Sequence, residues 1–176
     1  MRKLFFILSL FYTVLCFSQE RSISGYFSDN IIFHTDTTYI LEYNTKISSS
    51  ATLTIQPGTS VKFNSGASLI IEGNLICNGN SNELIKFMSL DKEYQGIGIV
   101  ISGTKGSVVD IQFTIFNELL LPLTFNDIWY RDIVTIKNNI FSNINSGQAA
   151  INVGMFAQVF SDKEIPFIFE KTFICK

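Results

Sequence analysis

The sequence contains one histidine in 176 residues, and this scarcity excludes most catalytic centres that rely on a histidine base. The chain has no Ser/His/Asp set, no Cys/His pair and no glycine-rich loop that could cradle a phosphate. His34 lies in an irregular N-terminal stretch with no glycine beside it, and we expect it to have a structural or surface role. The sequence therefore assigns no catalytic residue.

Cysteine is also rare. Of the three cysteines, Cys16 belongs to an apolar leader, so that Cys77 and Cys175 remain in the body of the chain. They show no metal-ligand spacing, and the repeat described below places them about four coils apart, at roughly 4.8 Å per coil. This separation is beyond the reach of a disulfide. We therefore expect two buried thiols that pack as small apolar residues, with no metal and no cofactor.

The sequence has no basic stripe and no apolar run of the ~20 residues that a membrane-spanning helix requires. The first absence argues against a nucleic-acid partner. Arg2 and Lys3 precede an apolar run and Ser18 follows it, which predicts a signal peptide over residues 1–18 and a secreted or cell-surface protein. The alternative, a membrane anchor, needs more than these roughly 14 apolar positions. Removal of the two leader cations leaves 11 of 13 basic residues against 15 acidic ones, a net charge of −4.

No stretch supports a helix of three turns. Short apolar-polar-apolar triplets separated by Pro, Gly, Asn and Ser occur instead, a pattern typical of short strands joined by turns. The triplet Val61-Lys-Phe63 returns 24 positions later as Ile85-Lys-Phe87. A repeat of this length without a helix predicts an all-β parallel β-helix, or β-solenoid, of about five to six coils.

A second repeat relates residues 108–117 to residues 133–142 and to residues 166–175, at spacings of 25 and 33 positions. It predicts three inward-pointing apolar columns: Ile111 with Ile136 and Phe169, Ile115 with Ile140 and Phe173, and Phe116 with Phe141 and Ile174. The polar positions between these residues are expected on an outward strand or a corner: Gln112, Lys137 and Glu170, and Thr114, Asn139 and Thr172. In this register Lys137 lies beside Glu170 as a surface ion pair.

The chain divides into a leader, an irregular segment and the repeats. We expect residues 19–50 to form an N-terminal cap with its first strands, the alternative being a disordered tether. Residues 51–176 are expected to form the parallel β-helix, which ends without a C-terminal cap. An uncovered strand edge rich in phenylalanine predicts self-association through this open last coil.

Three stretches of the sequence resemble those of a known family: Leu53-Thr-Ile-Gln-Pro-Gly-Thr-Ser-Val-Lys-Phe63, Ala67-Ser-Leu-Ile-Ile-Glu-Gly-Asn-Leu-Ile-Cys-Asn-Gly79 and Leu84-Ile-Lys-Phe87. They resemble the opening coils of right-handed parallel β-helix proteins of the pectin-lyase-like superfamily, especially secreted members common in Bacteroidetes. The stretch Tyr94-Gln-Gly-Ile-Gly-Ile-Val-Ile-Ser102 is similar to the strand that follows in those proteins, although Gln95 and Ile97 depart from the pattern. The resemblance implies the fold and leaves the function open, because the same fold carries lyases, hydrolases, adhesins and inert stalks.

The sequence offers one candidate binding site, where aromatic, basic and acidic side chains adjoin. Because an aromatic ring can stack on the apolar face of a sugar, we predict carbohydrate binding at Trp129, Tyr130, Arg131 and Asp132. The alternative is that Trp129 plugs the solenoid beneath a loop.

Two functions follow from these features. The first is an exported, non-catalytic scaffold or adhesin-like surface-binding module, on its own or as the N-terminal part of a longer protein. Its expected partner is a polysaccharide or cell-surface glycan. The second is a polysaccharide lyase or hydrolase acting on acidic glycans. Relatives with these activities need a Gly-His-Gly segment or carboxylates gathered around Ca²⁺. Here the register places Asp110 over Thr135 and Asp132 over Ser107, so the acids form no column, and the first function is favoured.

Overall fold

A computed structural model describes residues 19–103, 106–127, 133–144, 147–153 and 167–175. These residues form strands and connecting turns without a helix, and thus contain no helix that could cross a membrane. The strands are β1 (Gln19–Phe27), β2 (Ile31–Phe33), β3 (Thr37–Ile47), β4 (Thr52–Ile55), β5 (Ser60–Phe63), β6 (Ser68–Ile71), β7 (Asn74–Asn78), β8 (Ile85–Ser89), β9 (Gly98–Ser102), β10 (Val108–Gln112), β11 (Thr114–Asn117), β12 (Leu123–Asp127), β13 (Ile133–Lys137), β14 (Ile140–Ser142), β15 (Ile151–Val153), β16 (Phe167–Glu170) and β17 (Phe173–Cys175).

Every recorded strand pair is parallel, and the strands form two sheets. The smaller sheet has the order β16-β13-β10-β7-β4-β2, so its neighbours are two or three strands apart along the chain. The larger sheet has two limbs that meet at β3, because the first half of β3 pairs with β5 and its second half pairs with β6. We call the β5-β8-β11-β14-β17 side the first limb and the β6-β9-β12-β15 side the second limb. This all-β, all-parallel topology is consistent with the predicted solenoid.

The core consists of in-register columns of apolar side chains that point between the sheets. The predicted column of Ile111, Ile136 and Phe169 is confirmed, and the structure extends it back through Cys77 and Ile55. A second column stacks aromatic rings on the first limb. The ring centroids of Phe87 and Phe116 lie 5.3 Å apart, and those of Phe116 and Phe141 lie 4.6 Å apart with nearly parallel planes. Such offset stacking adds about 0.5–1.5 kcal/mol per pair beyond area burial.

One predicted column points the wrong way. Ile115, Ile140 and Phe173 are in register as predicted, but they lie on the outer face, while Phe116 and Phe141 are buried. The cause is a single left-handed residue at the preceding corner. Phe113, Asn138 and Lys171 occupy equivalent positions and have φ values of 50°, 55° and 45°. Each of these residues takes up one position without continuing the strand, so the in–out alternation restarts one residue later than in an unbroken strand.

The same corner explains the polar residues next to it. Thr114 and Asn139 are fully buried, which confirms the corner location and rules out the outward strand for them. The Thr114 backbone N–H donates to Asn139 Oδ1 over 2.9 Å, and Asn139 Nδ2 donates to the Ile111 carbonyl over 2.8 Å. The asparagine therefore supplies hydrogen bonds that the strand ladder lacks at the bend. The predicted Lys137–Glu170 ion pair is confirmed at 3.4 Å.

The 24-residue repeat has the wrong register. In the structure Val61 pairs with Phe87 and Lys62 pairs with Met88, so Ile85 lies two positions from its predicted partner. A shift of two residues keeps each side chain on its own face. The sequence match depended on two lysines that point outward, whereas the buried side chains set the register.

The N-terminal strands continue the sheets. Within residues 19–50, β2 joins the smaller sheet and β3 joins the larger sheet, and β1 pairs with β3 at the outside of the larger sheet. At the other end of the stack, β16 and β17 are the last strands in their sheets. Their apolar side chains are exposed: Phe169 by 48%, Phe173 by 64% and Ile174 by 63%.

Candidate functional site

The predicted carbohydrate-binding residues Trp129, Tyr130, Arg131 and Asp132 lie outside the described residues, and so does the predicted stacking of Asp132 on Ser107. The other acidic register is confirmed, since Asp110 pairs with Thr135. Within the described ranges, no three His, Cys, Asp or Glu side chains gather closely enough to hold a metal ion.

His34 lies at an exposed turn after β2. Its backbone N–H donates to the Tyr39 hydroxyl over 2.9 Å, and its ring Nδ1 lies 3.3 Å from Gln56 Oε1. These contacts fasten the turn to the next strand, as expected for a structural role.

The two cysteines differ from each other. Neither forms a disulfide, and Cys77 is buried as predicted, but Cys175 is exposed, which corrects the prediction of two buried thiols. Cys175 is on the last strand of the first limb, where no further described strand covers it. Burial raises the pKa of the Cys77 thiol well above its ordinary value, and the negative charge of Asp110 raises it further. Because the thiolate is the reactive form, Cys77 is a packing residue and not a nucleophile.

A shallow groove of about 290 Å³ lies at the corner between the two limbs of the larger sheet. We call it the corner groove, and it is lined by Glu42, Tyr43, Asn44, Ser65, Gly66 and Ala67. Three of the lining residues come from the middle of β3, where the chain passes from one limb to the other without leaving the strand. The other three come from the turn between β5 and β6 on the neighbouring strands.

The exposure of Tyr43 follows from an irregularity in strand pairing. Ile23 pairs with Leu41 and Gly25 pairs with Thr45, so only Ser24 of β1 stands opposite Glu42, Tyr43 and Asn44 of β3. The three corner residues therefore project beyond the ladder, as residues at β-bulges do. Tyr43 is 75% exposed at the rim of the groove. A tyrosine held open in this way presents a rigid apolar ring with a hydroxyl at its tip.

Asn44 offers hydrogen-bond donors in a fixed orientation. Its Oδ1 accepts bonds from the Ser68 backbone N–H over 3.1 Å and from the Ser68 hydroxyl over 2.9 Å. Because a backbone N–H can only donate, the amide atom facing it must be the oxygen, which sets the flip of the side chain. The two hydrogens of Nδ2 are thereby turned away from Ser68, and Asn44 is exposed.

The floor of the groove is the turn at Ser65 and Gly66. Gly66 has a φ of +68°, which favours glycine, and a Cβ built on it would meet no atom within 4 Å. The open space at this position belongs to the groove. The Ser65 backbone N–H donates to Asn64 Oδ1 over 2.9 Å, and Asn64 Nδ2 reaches the Glu42 carbonyl at 3.5 Å. These contacts connect the floor to the corner of β3.

The loop between β8 and β9 is hydrogen-bonded to the turn that forms the floor of the groove. The Gly66 N–H donates to the Gln95 carbonyl over 3.2 Å, and the Leu90 N–H donates to the Phe63 carbonyl over 2.7 Å, so both ends of the loop are fixed to the preceding turn. Tyr94, next to Gln95, is 60% exposed. Adjacent parallel strands lie about 4.8 Å apart, which puts the backbones of Tyr43 and Tyr94 roughly 10 Å apart along the stack.

No protein-family model, no curated protein and no solved structure shows a significant match to this chain. The comparisons thus assign no family to the chain. What the chain can bind is inferred from its own geometry. Sequence reasoning missed the corner groove because its residues come from turns that only the fold brings together. One signal was available: Glu42, Tyr43 and Asn44 form a polar and aromatic interruption within an otherwise apolar-alternating strand.

Proposed function

We propose that this chain is an exported, non-catalytic β-helix module that contacts carbohydrate at the corner groove. In this proposal it belongs to the right-handed, pectin-lyase-like type with about five to six coils, carries a signal peptide over residues 1–18, and acts at the cell surface or after secretion. It is an adhesin-like scaffold, on its own or as part of a longer protein.

The observation that carries the proposal is the combination of Tyr43 and Asn44 at one rim. An exposed aromatic ring can stack on the apolar face of a sugar, and an amide with a fixed orientation can donate to a sugar hydroxyl. The groove is shallow and open, as expected for a site that contacts a polymer chain at the surface. The described residues around it include no metal cluster that could support lyase chemistry.

A binding experiment tests this function. The purified chain is titrated with a panel of soluble polysaccharides and oligosaccharides by isothermal calorimetry, and Tyr43→Ala is compared with Tyr26→Ala. Tyr26 is also exposed but does not line the groove, so it is a matched control. We expect Tyr43→Ala to weaken binding by about tenfold, the loss typical of one stacking contact of about 1–1.5 kcal/mol. Equal binding by both variants would place the ligand elsewhere.

A second variant tests the groove without removing a ring. Gly66→Asn keeps the left-handed backbone accessible, because asparagine tolerates positive φ, and it fills the open space of the floor. We expect it to abolish carbohydrate binding while the circular dichroism spectrum stays β-type. Incubation of the chain with polyuronates, with and without Ca²⁺, is the complementary assay: formation of unsaturated or reducing-end product would favour the lyase or hydrolase alternative.

The proposed module also associates with itself through its last strands. The position of β16 and β17 at the ends of their sheets, with no further described strand beside them, and the exposed Phe169, Phe173 and Ile174 support this proposal. Light scattering across a concentration series tests it.

A further inference from the structure

Three carboxylates lie at the corner groove or on the loop that is hydrogen-bonded to its floor. Glu42 lines the groove, and Asp91 and Glu93 lie on the loop between β8 and β9, which is hydrogen-bonded to Gly66 of the groove floor. None of these three carboxylates forms a salt bridge within the described part of the chain. Asp91 Oδ1 instead accepts the Glu93 backbone N–H over 2.7 Å, which fixes the turn of the loop.

Three lysines, on β3, on β5 and on the loop between β8 and β9, form ion pairs of their own. Lys46 Nζ lies 2.6 Å from Glu72 Oε1, and Lys92 Nζ lies 3.0 Å from Glu118 Oε1. Lys62 Nζ lies 3.5 Å from Glu20 Oε1. Each pair is electrically neutral at a distance, so the three carboxylates leave the surroundings of the groove with a negative potential.

We infer that the corner groove selects uncharged sugar chains and discriminates against uronate or sulfated ones. This inference rests on the proposed function and names the ligand class of the same site. Tyr43 and the Asn44 amide supply contacts that need no charge on the ligand: a ring for the C–H face of a sugar and N–H donors for its hydroxyl oxygens. A carboxylated chain would bring its charges within the Debye length of Glu42, Asp91 and Glu93, whereas the lysines of β3, of β5 and of the neighbouring loop are already paired with carboxylates.

The test uses two ligands with the same backbone and different charge. An oligogalacturonate and its fully methyl-esterified form are titrated into the chain at about 0.05 M and again at about 0.5 M salt, alongside a panel of neutral hexose and pentose polysaccharides. At low salt we expect the ester to bind about tenfold more tightly than the acid, and we expect the difference to shrink at high salt because the Debye length falls from above 10 Å to a few Å.

Two variants show whether the groove is the source of the discrimination. Glu42→Gln keeps the shape of the rim and removes one charge, so it should improve binding of the acid relative to binding of the ester by about two- to threefold. Glu83→Gln removes an exposed carboxylate from a different corner, between β7 and β8, and should change neither ligand.

The outcomes distinguish a failure of the inference on ligand charge from a failure of the proposed carbohydrate contact. Tight binding of neutral chains with salt-sensitive rejection of the acid supports the inference. Equal or tighter binding of the acid overturns the inference and leaves the proposed carbohydrate contact intact. Failure of every saccharide in the panel to bind overturns the proposed function, and the inference with it.

Discussion

The two ends of the stack are built differently. At the N-terminal end, β1 is the outer described strand of the larger sheet, and its exposed Arg21 is in register with the buried Tyr39 of β3. At the C-terminal end, the inward columns finish with Phe169, which is 48% exposed, and Ile174, which is 63% exposed. One outer strand thus carries a charge in an inward register, and the other carries apolar side chains.

This difference shows how a parallel stack controls its edges. An outer strand with inward-pointing charge is a poor template for another strand, since the next layer would have to bury that charge. An outer strand with exposed phenylalanine and isoleucine invites a further layer. Among the described strands, β1 thus carries a charge in an inward register, whereas β16 and β17 carry exposed apolar side chains.

The largest expected effect comes from a charge placed in the core column that runs through Ile111, Ile136 and Phe169. Ile136→Asp buries an unpaired carboxylate and should abolish folding, since an uncompensated buried charge costs several kcal/mol against a typical total stability of about 5–15 kcal/mol. Phe169→Asp, one strand further along the same column, should leave the chain folded because its side chain is half exposed. Circular dichroism and thermal melting of both variants check this. A folded Ile136→Asp protein would mean that the column is assigned wrongly.

Two corner asparagines extend the comparison, with smaller expected losses in the free energy of unfolding. Asn139→Ala leaves the Thr114 N–H and the Ile111 carbonyl without their partner in a fully buried corner, and we expect a loss of about 2–4 kcal/mol. Asn44→Ala, near the N-terminal end, should cost about 1 kcal/mol because water can reach the exposed corner. Urea unfolding with a common m-value measures both. Similar losses for the two variants would show that burial does not set the cost.

Single substitutions can add a charge at the C-terminal end of the stack or remove one at the N-terminal end. We expect the chain to self-associate in light scattering across a concentration series, and we expect Ile174→Lys to weaken the association at least tenfold, or about 1.4 kcal/mol, by adding charge to the apolar edge. Arg21→Ile should have the opposite effect, because it removes the inward charge from β1. A chain that stays monomeric at all concentrations would refute the idea that the C-terminal strands attract a partner.

The smallest effect concerns the two thiols. Burial raises the pKa of Cys77 above its ordinary value of 9.0, so the folded state keeps its proton when the unfolded state begins to lose it. The stabilisation is fully present below pH 9 and declines as the pH rises further, by up to about 1.4 kcal/mol per pH unit. Unfolding of Cys77→Ala should lack this slope. Cys175→Ala should retain it, because the Cys175 side chain is exposed in the fold.

Much of the fold could be predicted because inward side chains repeat. The column through Ile111 and Ile136 and the Lys137–Glu170 pair followed from the 25- and 33-residue spacings. The orientation of Ile115 could not be predicted, because a left-handed phenylalanine at position 113 is invisible in an alternation pattern. The register of Val61 was missed because similar outward lysines outweighed the buried partner in the comparison of sequences.

The candidate site was harder to predict than the fold. Its residues lie on β3 and on the turn before β6, and their juxtaposition depends on how many residues each corner contains. Corner length is set by turn chemistry and not by apolar periodicity, so the pattern that reveals the columns says little about the groove. The orientation of the Asn44 amide depends on Ser68, 24 positions later, a contact that only the folded chain creates.

The spacing of strand partners has a mechanical consequence. Paired residues of the described strands lie close together along the chain, from 18 positions between Gln19 and Thr37 to 34 between Leu75 and Val109. Pulling on the C-terminal strand would detach β17 and β16 from their neighbours while the strands beneath remained paired. Such a chain should yield to force in small successive steps, each releasing a few tens of residues, and should recover its length by laying the strands down again on the part that is still folded.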